Sequence, residues 1–87
     1  MDMQATLTLT LVFEDDQIQL EKKAPELPPG FTWQRDMTVR TGDYIHEVDI
    51  IEVLSEGAVV RLATEEYEGK LDEELVDQFK ELGWSDS

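Results

Sequence analysis

The sequence predicts a small α+β domain: a strongly curved antiparallel β-sheet of about five strands, curled toward a barrel, with one C-terminal α-helix. Three observations predict it. Apolar residues recur with a period of two over residues 5–13, the pattern of a strand with one buried face. The longest apolar run, residues 44–54, changes phase part-way, as a strand does where a sheet curls. Only residues 72–82 carry an apolar stripe at helical spacing between good caps. At 87 residues the chain makes one domain with a small core.

In the first run Ala5, Leu7, Leu9, Leu11 and Phe13 point one way, and Thr6, Thr8, Thr10 and Val12 the other. Glu14-Asp15-Asp16 supplies a polar turn, and Gln17-Ile18-Gln19-Leu20-Glu21 alternates again, so residues 5–21 read as a hairpin. Were residues 5–13 an edge strand, they would pair with a second copy, which sets up the expectation of a homodimer. Residues 24–30, APELPPG, form a stiff connector, because proline restricts its predecessor and donates to no ladder. Phe31 and Trp33 follow at strand spacing and are expected to plug the core or cover its end.

The main strands are expected within residues 37–64. Met37 and Val39 mark a short one, ended by Thr41-Gly42-Asp43. In the long strand Val48 and Ile50 share one face and Ile51 and Val53 the other, so a bulge is expected near Ile50-Ile51. Ser55-Glu56-Gly57 is a tight turn, after which residues 58–64 return. Asp72 is placed to N-cap the helix, and Glu73 and Glu74 suit its positive end. Leu71, Leu75, Phe79 and Leu82 form one stripe. Gly83 stands where a left-handed C′ residue belongs, with Trp84 at C″ to complete a Schellman motif. The tail Ser85-Asp86-Ser87 is expected to fray.

Charge bounds the function. Seven Lys and Arg against 21 Asp and Glu give 7 − 21 = −14. Such a chain is repelled by nucleic acids and anionic membranes, and attracted to basic protein surfaces. MDMQATLTLTLVF does not read as a signal peptide, and no apolar run approaches the ~18 residues of a membrane span. The absence of cysteine fits a reducing compartment, so the expected localisation is cytoplasmic. With one histidine, His46, expected half-exposed on its strand, and serines only at 55, 85 and 87, no nucleophile–base set is evident. No calcium loop, phosphate-binding glycine pattern or thiolate site is present, so neither metal nor cofactor is expected.

The densest acidic run holds the candidate partner-binding residues Glu65, Glu66, Glu68, Asp72, Glu73, Glu74 and Asp77, answered only by Lys70. Glu73–Asp77 and Asp77–Glu81 are like-charge pairs at i, i+4, each costing a few tenths of a kcal/mol. Glu81 also sits at the negative helix end. Three readings compete: a solubilising face, adaptation to high salt, and a face that docks on a basic protein. The sharpest form of the third is nucleic-acid mimicry by a small phage-type inhibitor. The sequence favours a non-enzymatic acidic interaction domain of this kind; the alternative is a barrel-like accessory domain whose acidity reflects solubility or salt.

Gly42-Asp43, Val48, Ile50, Gly57-Ala58-Val59-Val60, Leu62, Glu68-Gly69-Lys70-Leu71 and Glu74-Leu75 resemble the rhythm of an S1-type OB-fold or another small β-barrel of OB or SH3 type. The resemblance covers about 34 of the 87 residues, mostly turn glycines and strand apolars. It implies a barrel-like fold. The RNA binding known in S1-like domains relies on aromatic and basic residues, and the acidic surface here does not supply it.

Overall fold

The computed structural model describes residues 4–87. Strand β1 (Gln4–Val12) buries Leu7, Leu9 and Leu11, followed by Phe13, and leaves Thr6, Thr8, Thr10 and Val12 on the outer face. Each fully buried leucine contributes ~1.5–3 kcal/mol of transfer free energy. The turn at Glu14-Asp15-Asp16 closes when the Phe13 N–H donates to the Asp16 carbonyl at 2.8 Å, and β2 (Gln17–Lys23) returns antiparallel to β1. After the connector, β3 (Thr38–Thr41), β4 (Tyr44–Leu54) and β5 (Gly57–Leu62) run as two further hairpins. Ser55 and Glu56 make the last turn, with Gly57 already paired to Leu54.

The α+β class holds, but the sheet is mixed, not wholly antiparallel, and has seven strands. β1 pairs in parallel with β5, through Ala5–Ala58 and Leu7–Val60, and with β6 (Glu65–Glu66), through Leu11–Glu65 and Val12–Glu66. The order β3-β4-β5-β1-β2-β7 does not close, so the curled sheet is a half-barrel. β1 is therefore a central strand with neighbours on both sides, and the edge needed for a homodimer through residues 5–13 does not exist. β7 (Ser85–Asp86) pairs with β2 at Leu20 and Glu21, and the Ser87 N–H donates to Gln19, so the tail is tied down, not frayed.

The bulge lies where the phase break puts it. Val48 pairs with Leu62 but Ile50 pairs with Arg61, so β4 advances two residues while β5 advances one. Before the bulge His46 and Val48 point into the core; after it Ile51 does, and Ile50 turns outward.

Helix α1 (Glu73–Glu81) packs on the concave side. Asp72 caps it, accepting from the Glu74 and Leu75 N–H groups at 3.0 and 3.3 Å. At the other end Trp84 N–H donates to Phe79 and Gly83 N–H to Lys80, the Schellman pair, with Gly83 at φ +100°. The Lys22 ammonium adds a bond to the Leu82 carbonyl at 2.7 Å. Phe79 is fully buried, and Val76 joins it in the core between the expected stripe positions Leu75 and Phe79. Trp33 packs on the core margin, while Phe31 is 65% exposed and plugs nothing. No helix among the described residues is long and apolar enough to cross a membrane.

Candidate functional site

The acidic residues collect at the end of the half-barrel where β1 finishes. At 100° per residue, Glu74, Asp77 and Glu81 fall on the helix face turned away from Val76 and Phe79, Glu73 flanks Val76, and all four are exposed. Glu66 shares the outer face with its neighbour Val12, and Glu68 is exposed in the loop beyond. Asp72 is exposed, with one carboxylate oxygen committed to the helix cap. Glu66, Glu68, Glu73, Glu74 and Asp77 make no ion pair or side-chain hydrogen bond within the described residues. The two ion pairs there are Arg61–Glu52 and Lys80–Asp86, while His46 and Glu65 share a hydrogen bond.

The acidic end also gathers residues that sequence reasoning left out. The Glu14 N–H donates to the Gly69 carbonyl at 2.9 Å, and Asp15 Oδ1 accepts from the Leu71 N–H at 2.8 Å. These bonds dock the first turn against the loop that leads into α1, and so add Glu14, Asp15 and Asp16, all exposed, to the same end. Phe13 stacked on Tyr67, with ring centroids 5.5 Å apart, supports the junction. The signal was visible as an acidic triplet, but its place beside Gly69 is a non-local contact.

Glu65 does not belong to this face. Because it pairs with buried Leu11, its side chain turns inward. There it ends a hydrogen-bonded chain running through the core. The Trp84 indole donates to Thr41 Oγ1 at 3.4 Å, and Thr41 Oγ1 lies 3.2 Å from His46 Nε2. His46 Nδ1 lies 2.8 Å from Glu65 Oε1, and the Tyr67 hydroxyl donates to Glu65 Oε2 at 2.6 Å. With the ring proton on Nδ1, every member is satisfied: Nδ1–H donates to Glu65 and Nε2 accepts from the Thr41 hydroxyl. His46 is thus fully buried, against the half-exposed position expected. Burial first, then the hydrogen bond and charge of Glu65, push the Tyr67 phenol well above the ordinary tyrosine value.

Hydroxyl, imidazole and carboxylate stand in the order of a nucleophilic triad. The resemblance ends at access. Thr41 is 7% exposed, its oxygen already accepts from Trp84, and the grooves beside the connector and beside Gly83 are not lined by Thr41, His46 or Glu65. What the chain does is join β3, β4, β6 and the segment after α1 through satisfied polar contacts. Tyr44 and Phe79, 4.5 Å apart, continue it as aromatic packing. Among the described residues no three His, Asp or Glu side chains converge so as to hold a metal ion.

Compared with protein-family models, curated proteins and solved structures, the chain matches none.

Proposed function

We propose that this chain is a non-enzymatic interaction domain that docks its acidic end on a basic protein surface. One observation supports this above the others: Glu66, Glu68, Glu73, Glu74 and Asp77 are exposed at one end with no cationic partner inside the described chain. Their repulsion costs a few tenths of a kcal/mol per close pair, and the positive helix end offsets it for Glu73 and Glu74 alone. Solubility alone asks for a net charge of about 2–8 in magnitude in a small domain, well short of −14. A cationic partner would relieve the repulsion, and long-range attraction would make the encounter fast and salt-sensitive. In its sharpest form the partner is a nucleic-acid-binding protein, whose groove the carboxylates occupy in place of phosphates.

The test is capture of a partner from a lysate of the source cells at low salt, with Glu66, Glu68, Glu73 and Asp77 all changed to Lys. Loss of a discrete basic protein from the variant supports the reading, and competition by added nucleic acid supports its sharper form. Unchanged capture refutes it. Salt adaptation is separated by a melting series in NaCl, since it requires stability to climb steeply toward molar salt.

A further inference from the structure

The helix covers only part of the concave face. At the other end of β1, register sets Ala58 between Ala5 and Val53, and the Ala24 N–H donates to the Ala5 carbonyl at 2.9 Å. This row of small side chains leaves a groove of about 660 Å³ between the sheet and the proline-rich connector, walled by Trp33, Ile51 and Val53. The groove opens onto a free strand edge. β3 pairs with β4 only from Tyr44 to Glu47, so residues 50–54 have no strand on that side among the described residues. Ile50, Val53 and Leu54 are nevertheless exposed there, Val53 by 74%. This five-residue edge, which begins just past the bulge and carries no proline or lysine, is a template for strand pairing.

We propose that residues 50–54 of β4 accept an added strand from a basic partner: an extended segment in which apolar side chains alternate with Lys or Arg. The apolar groove and the net charge of −14 select that occupant. Ile51 and Val53 face the groove, whereas Glu52 faces the outer side, where it meets Arg61. An added strand would set large apolar side chains over the alanine row and its cations on the outer face, beside Ile50, Leu54 and the Glu52 that pairs with Arg61. A second copy of this chain fits worse. The antiparallel self-register that matches Ile51 with Val53 and Ile50 with Leu54 also sets the two Glu52 side chains directly opposite each other. That is an unfavourable cross-strand pair, between two chains of net charge −14. The surface is also distinct from the acidic end: the eight residue steps from Ala5 to Phe13 separate them by ~26 Å at about 3.3 Å per residue.

The probe is a capped peptide of about nine residues alternating lysine and valine, titrated into the 15N-labelled protein. Saturable shifts at the amides of residues 50–54 and at the Trp33 indole are expected. A glutamate–valine peptide should bind on the order of tenfold more weakly or worse. Val53→Lys, at an exposed position, places a gatekeeping charge on the edge and should weaken the lysine–valine peptide by a similar factor. Glu66→Lys with Glu73→Lys should leave the shifts at residues 50–54 in place. The proposal is overturned if neither peptide binds, if both bind equally, or if the shifts fall on residues 66–77. It is also overturned if sedimentation shows the free protein to be a dimer that Val53→Lys dissociates.

Discussion

Glu65 and Glu66 are neighbours in sequence with opposite tasks, and replacing each by alanine separates them. In Glu65→Ala the His46 Nδ1–H loses its acceptor at a site with 2% exposure, and the Tyr67 hydroxyl loses its own. An orphaned buried donor costs ~1–3 kcal/mol. Tyr67 is only partly buried and recovers water, so its loss adds about 1 kcal/mol or less. The sum is ~1–4 kcal/mol, a large share of the ~5–15 kcal/mol typical of a domain. Glu66→Ala removes an exposed side chain with no partner among the described residues, and should change stability by no more than ~0.5 kcal/mol. Urea unfolding of the three proteins under one buffer measures the difference as a shift in midpoint at constant slope. If both variants lie within ~0.5 kcal/mol of each other, the buried chain from Trp84 to Tyr67 does not exist as described.

Two further predictions concern the same packing. Because the folded-state value of Tyr67 is raised, its stabilising contribution is complete below the unfolded value of about 10 and is lost as pH climbs through the folded value. Melting temperature should therefore fall more steeply above about pH 10 in the wild type than in Tyr67→Phe, and equal slopes would contradict this. At the helix end, Gly83→Ala places a side chain at φ +100° and drives its Cβ onto the Lys22 ammonium that bonds Leu82, whereas Gly69→Ala at φ +86° meets open space. Gly83→Ala should cost ~1–2 kcal/mol for the left-handed backbone plus that displaced contact, and Gly69→Ala only the backbone part. Thermal melts of both variants read the gap.

The features legible in the sequence are those set by near neighbours. Asp72, Gly83 and Trp84 cap the helix through bonds spanning a few residues, so their types and spacing suffice. The bulge in β4 was visible because Val48 and Ile51 cannot face one way in a regular strand. What was not legible depends on contacts far apart in the chain. The parallel seam of β1 with β5 joins residues more than 50 positions apart, and it turns a supposed edge strand into the centre of the sheet. The two residues of β6 carry no periodicity of their own. Only their register with Leu11 and Val12 sends Glu65 inward and Glu66 outward. His46 points into the core because it shares a face of β4 with Val48 and pairs with buried Val39. Val76, by contrast, could have been read from the helical wheel, since it stands three residues before Phe79 and so shares its buried face.

The central claim is that the acidic end, and not overall acidity, binds a basic partner. Two variants of equal net charge decide it. Changing Glu66, Glu68, Glu73 and Asp77 to Lys shifts the charge by +8, from −14 to −6, and so does changing the exposed Glu26, Asp36, Glu47 and Glu56 elsewhere. Partner retention is measured for both by affinity capture at low salt and elution along a salt gradient. The account predicts that the first variant loses the partner while the second keeps it and elutes only slightly earlier. Equal loss in both, or retention by the first, would contradict it.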